Sequence, residues 1–184
     1  LTIVLPEWIA EQEARWQGGD EAARMAFVID AARRNVETRS GGPFAAAVFE
    51  QDSGRLVALG VNRVVAEQLS MLHAEMIALA LAQRALGRAD LGAAGQPALE
   101  LVTSVEPCAM CLGALLWSGV GSVIAGASDA DARAIGFDEG PKPADWTAPL
   151  RARGVTVRAG LLQSEARAVL EAYAHSGGPI YNPG

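Results

Sequence analysis

The chain has 184 residues, enough for one domain with a substantial core, and a hydrophobic fraction of 51% excludes a disordered tail. A net charge of −6 argues against nucleic acid as a partner, because phosphate neutralisation supplies most of that affinity and the basic clusters, Arg33-Arg34 and Arg151/Arg153, are short. No apolar run is long enough to span a membrane, residues 1–19 lack the pattern of a secretory signal, and Leu1 in place of methionine leads us to expect a start further upstream.

Residues 1–19, with Trp8, Trp16 and the Gly18-Gly19 break, read as an N-terminal arm ahead of a single domain over 20–184. Asp20 is placed to cap a helix running to about Thr38, with Met25, Phe27, Val28, Ile29 and Ala32 on its apolar face. Ser40-Gly41-Gly42-Pro43 breaks it. Phe44–Glu50 and Arg55–Val61 then predict two strands joined through Asp52-Ser53-Gly54. Leu72–Leu86 is an alanine- and leucine-rich helix ended by Gly87, and Leu99–Thr103 a short strand. Pro107 starts a helix over Cys108–Trp117. The chain continues as a strand at Ser122–Ala127, a helix at Asp129–Ile135, a loop from Gly136 to Pro141, a strand at Val155–Arg158 and a closing helix at Ser164–His175. This order predicts an α/β protein with three layers, a sheet between two sets of helices.

Both cysteines of the chain, Cys108 and Cys111, stand three positions apart behind a proline. Two close thiols in an otherwise cysteine-free chain favour metal or redox chemistry in a reducing, cytoplasmic setting. Zinc takes four ligands, so a third must come from one of two histidines. His175 lies in the last turn of the final helix, where a structural role suits its partial positive charge. His73 opens a helix and is followed two positions later by Glu75. His-x-Glu is weak alone; joined to Pro-Cys-x-x-Cys it is a specific signal. A redox pair would leave His73 and Glu75 idle, and a structural zinc site would need a fourth protein ligand. Three protein ligands leave one position for water, the arrangement of a catalytic ion, with Glu75 available as general acid and base.

These residues resemble the zinc-dependent nucleobase and nucleoside deaminases of the cytidine-deaminase fold, for which His-x-Glu with Pro-Cys-x-x-Cys is the pattern. The resemblance covers about Asp20 to Leu162 and implies a five-stranded mixed sheet with the two metal-bearing helices side by side. It also implies one zinc ion per subunit, and attack by zinc-activated water on an amino-bearing ring carbon while Glu75 relays a proton to the departing ammonia.

Gly42 to Val48, Gly60-Val61-Asn62 and Leu115-Leu116-Trp117 resemble the guanine deaminases of this group. That resemblance implies that Phe44 and Trp117 wall the base, that Asn62 hydrogen-bonds it, and that the backbone of Ala74 contacts it. It further implies a second acid in Gly136-Phe137-Asp138-Glu139-Gly140-Pro141, where Glu139 is favoured over Asp138. The tail Gly177 to Asn182 resembles a segment that closes the active site, with Tyr181 as a lid residue, and in some members it closes the partner's site in a domain-swapped dimer. The expected reaction is hydrolysis of guanine to xanthine and ammonia, with aminotriazines such as ammeline as side substrates and a homodimer as the assembly. The alternatives are a tRNA adenosine deaminase, a cytosine deaminase, or a zinc-stabilised binding protein without turnover.

Overall fold

A computed structural model describes residues 2–182. In chain order the elements are α1 (Trp8–Ala14), α2 (Glu21–Glu37), β1 (Ala45–Glu50), β2 (Leu56–Val61), α3 (Val64–Glu67), α4 (Ala74–Leu86), β3 (Leu99–Val105), α5 (Ala109–Ser118), β4 (Ser122–Ala127), α6 (Asp129–Ala134), α7 (Ala148–Arg151), β5 (Thr156–Arg158) and α8 (Gln163–His175). Asp20 caps α2 by accepting from the Ala23 N–H, and Gly87 closes α4 in the left-handed conformation. The sequence did not predict α1, α3 or α7. These helices are only 7, 4 and 4 residues long, too short for a 3.6-residue period to stand out.

The five strands form one mixed sheet in the order β2-β1-β3-β4-β5. β1 runs antiparallel to β2 and to β3, whereas β3, β4 and β5 are mutually parallel. Every residue of β3 and β4 is buried, as strands covered on both faces require. Alternation along β1 divides the core in two. Ala45, Ala47 and Phe49 join a cluster with α2 and α8, while Ala46 and Val48 join one with α4 and α5.

Within the expected N-terminal arm, Ile9 and Gln12 of α1 are buried, and Trp16 packs between Phe27 and Phe49 at centroid distances of 5.2 and 5.1 Å. The Trp16 indole donates to the Gly54 carbonyl at 2.8 Å. This segment therefore lies on the sheet's α2 face as part of the core.

On the opposite face, β2 and α4 come into backbone contact at Gly60. A Cβ there would sit 2.4 Å from the Ala74 carbonyl oxygen and 2.6 Å from the Ala78 nitrogen. Only glycine lets the start of α4 approach so closely. No helix among the described residues is long and apolar enough to cross a membrane.

Candidate metal centre

His73 is the N-cap residue of α4 and Cys108 the N-cap residue of α5, and neither side chain caps its own helix. Both point instead into the space between the two helix starts. Cys111, one turn into α5, joins them. The His73 Nδ1 lies 3.5 Å from the Cys108 Sγ and 3.7 Å from the Cys111 Sγ. A tetrahedral ion with bonds of about 2.3 Å to sulfur and about 2.0 Å to nitrogen separates its ligand atoms by about 3.5–3.8 Å. The three side chains thus stand at the spacing that zinc requires. Their ligand atoms form the one such metal-ligating group found among the described residues.

Glu75 lies directly beside this triad. Its Oε2 accepts from the Cys111 thiol at 3.4 Å, and its Oε1 accepts from the Thr103 hydroxyl at 3.3 Å. Thr103, buried at the end of β3, therefore orients the carboxyl group; nothing in the motif pattern had pointed to it.

His73, Cys108 and Glu75 open into a cavity of about 300 Å³, lined among others by Phe44, Asn62, Glu106, Phe137, Glu139 and Tyr181. Phe44 and Phe137 meet edge to face at 4.9 Å, and Phe137 and Tyr181 likewise at 5.0 Å. Together the three rings give the slot one continuous aromatic wall. Asn62 is buried, and its Oδ1 accepts from the Val64 N–H at 3.2 Å, which leaves its amide N–H donors for a ligand. Behind it, the buried Asn35 donates to the Gly42 and Asn62 carbonyls at 2.8 and 3.0 Å, tying the loop before β1 to the end of β2.

The two acids of the 136–141 loop diverge. Asp138 is exposed and accepts from the Gly140 N–H and from Arg133. Glu139 is buried against the cavity. The tail holds this loop from outside, because the Asn182 side chain accepts from the Asp138 N–H at 2.9 Å and donates to the Gly136 carbonyl at 2.8 Å. Tyr181 thereby reaches the cavity of its own chain, with its hydroxyl buried and unpartnered.

Burial and crowding of negative groups set the electrostatics. The neighbouring Cys111 and His73 favour the Cys108 thiolate, so this thiol is pushed down to about 4 against the cost of burial. Burial works against the charged form of His73, but Cys108 and Glu75 outweigh it and hold the imidazole above its ordinary value. Burial, then the charge on Cys108, raises Glu75. The same two causes push Glu139 up to about 7. A cation between the thiolates would relieve all of this crowding, and the donor set of one imidazole and two sulfurs suits zinc.

One expected site residue lies elsewhere. Trp117 is 81% exposed and does not line the cavity; the Arg153 guanidinium covers one face of it at 5.5 Å. Nine residues separate it from Cys108, which on a helix means two and a half turns and the opposite side of α5. Trp117 is therefore no wall of this cavity, which Phe137, packed edge to face on Phe44, lines instead. Ala74 is wholly buried between two lining residues, with its methyl in the core. Phe137, Glu106 and Thr103 carried no sequence signal beyond a Gly-Phe pair, because only the fold brings them to the triad.

Comparison with known proteins agrees with this geometry. Residues 20–127 match the family described as cytidine and deoxycytidylate deaminase zinc-binding region. A guanine deaminase of Bacillus subtilis (strain 168) is 35% identical over 111 residues, which are 60% of this chain and 67% of that one. A structure solved in complex with 2,6-diaminopurine is 50% identical, covering 98% of this chain and 96% of its own at a TM-score of 0.92. The solved guanine deaminase from Nitrosomonas europaea is 49% identical, covering 95% and 96% at a TM-score of 0.91. The triad lies within the matched segment, which spans more than half of the sequence, and the chain belongs to the cytidine and deoxycytidylate deaminase zinc-binding family.

Proposed function

We propose that this protein hydrolyses guanine to xanthine and ammonia. The observation that carries this reading is the placement of Glu75 beside the His73–Cys108–Cys111 triad, at the floor of an aromatic-walled slot that Asn62 also lines. The similarity of nearly the whole chain to a guanine deaminase supports it.

In this reading His73, Cys108 and Cys111 hold zinc, which when bound lowers the pKa of a coordinated water toward neutrality. Phe44 and Phe137 form the aromatic wall against which the purine packs, Asn62 donates to an acceptor on its edge, and the backbone at Ala74 adds a further contact. Glu75 takes a proton from the attacking water and passes it to the exocyclic nitrogen, so that the C–N bond breaks with loss of ammonia. Glu139, whose carboxyl is pushed up to about 7, holds or releases a proton near neutral pH at the far side of the ring. Tyr181 closes the slot over the bound base and excludes water. Aminotriazines such as ammeline present a similar amino-bearing edge and fit the same slot.

Residues 20–184 carry the catalytic and substrate-binding groups, with α1 and Trp16 packed on them as part of one core, and the protein acts in cytoplasmic purine metabolism as a homodimer. The dimer is supported by α5, which carries no charged residue and exposes Met110 and Trp117 seven positions apart, with the small Gly113 and Ala114 between them. A tail exchanged between subunits would bring the partner's copy of the Tyr181 segment to the same slot. Ammonia release from guanine, cytosine, adenosine and a tRNA anticodon stem by zinc-loaded protein tests the reading. Turnover of guanine is expected; turnover of another of the four without guanine overturns the substrate, and turnover of none returns the chain to a zinc-stabilised binding protein.

A further inference from the structure

The chain contains fourteen arginines and a single lysine, Lys142, directly after the Gly136–Pro141 loop. Its side chain is only 7% exposed, and its Nζ donates to the Pro107 carbonyl at 2.9 Å and pairs with the Asp129 carboxylate at 3.0 Å. Pro107 immediately precedes Cys108. Three positions before Lys142, the Glu139 carbonyl accepts from the Ala109 N–H at 2.9 Å, at the first turn of α5. Two bonds thus join the loop to the start of α5, one on each side of Cys108. Asp129 is fixed in turn, because its own N–H donates to Glu106 at 3.0 Å and its carboxylate also accepts from Arg133.

We propose that Lys142 is a positioning residue for Glu139: its ammonium sets the register of the loop against the thiolate-bearing start of α5, and so fixes where the Glu139 carboxyl meets the substrate. A compact charge with three donors reaches a carbonyl and a carboxylate in one buried corner. A planar guanidinium, longer and with its donors fixed in a fork, does not reproduce that geometry. In a chain that otherwise carries its basic charge on arginine, this corner holds the exception. The kinetic consequence rests on the guanine reading; the structural one does not.

Hydrogen exchange of the zinc-loaded protein tests the structural part. In Lys142→Met, the Ala109 amide and the segment 137–142 are expected to exchange at least about tenfold faster, with β3 and β4 unchanged. Unaltered protection there overturns the proposal whatever the substrate proves to be. Asp129→Asn, which weakens the ion pair alone, should show the same pattern to a smaller degree, and serves if Lys142→Met does not fold. Kinetics test the link to Glu139. Lys142→Met should lower kcat for guanine by about 10-fold or more at full zinc content, yet by less than about twofold in a Glu139→Gln background. Losses that multiply in the double variant would mark Lys142 as general scaffold and refute the link. Lys142→Arg should not restore the rate; an Arg variant as active as the parent refutes the need for a compact charge. Absence of guanine turnover in the parent would refute the substrate alone, and the exchange measurement would still decide the register.

Discussion

Glu75 accepts from the Thr103 hydroxyl, a contact that does not depend on the protonation of the triad. Glu75→Gln keeps the shape and removes the shuttle. Its kcat is expected to fall by about 10³-fold with zinc content unchanged, as read by ammonia release beside metal analysis. Cys111→Ser has the opposite signature, with zinc lost on dialysis and activity following it. Glu139 makes a pH prediction. Its folded value, about 7, lies above the ordinary 4.5, so the metal-free native state binds a proton that the unfolded chain releases. The associated stability is complete below about pH 4.5 and is lost as pH rises through 7, by up to about 3 kcal/mol. Denaturant melts of metal-free protein between pH 4.5 and 8 should show this decline, and Glu139→Gln should flatten it. Zinc, by favouring the carboxylate, should shift the decline to lower pH.

At the scale of elements, two helix starts and one glycine assemble the centre. Gly60 brings α4 against β2, and Gly60→Val would drive the Ala74 backbone, with His73 and Glu75 on either side, away from the sheet. The expected result is a loss of about 2–4 kcal/mol in thermal or urea unfolding together with weakened zinc binding. The helices α2, α4, α5 and α8 were legible because each carries a long apolar period or a stop residue. The triad was legible because metal chemistry restricts residue type and spacing together. Phe137, Thr103 and Asn35 were not, since their roles depend on which strands and loops meet. Trp117 misled because a tryptophan near a metal motif resembles a base wall, whereas its helical phase turns it to the outside.

At the scale of the whole molecule, the two faces of the sheet divide the work. The α4/α5 face carries the triad, and the α2/α8 face, with α1 and Trp16 added, supplies bulk hydrophobic packing and backs the aromatic wall of Phe137 and Tyr181. Trp16→Ala should therefore cost about 3 kcal/mol in unfolding free energy while leaving the KM for guanine within about twofold of the parent. If α5 forms the proposed dimer face, Trp117→Glu should act on assembly, with sedimentation expected to show dimers for the parent and monomers for the variant. No residue pattern had revealed that α1 belongs to the core, because one helix of seven residues carries too little periodicity, and only the fold seats the Trp16 that follows it between Phe27 and Phe49.

The two uncapped helix starts set stability against function. His73 and Cys108 occupy the places where serine, threonine or aspartate would ordinarily satisfy a first-turn N–H. A bound ion compensates for that omission, and stripping it leaves both helices without a cap and without a ligand to hold. Below about pH 4, where Cys108 is a neutral thiol, Cys108→Ser, which destroys the centre, should then make the metal-free protein more heat-stable than the metal-free parent by about 1 kcal/mol. The chain would gain durability by the same change that ends its chemistry.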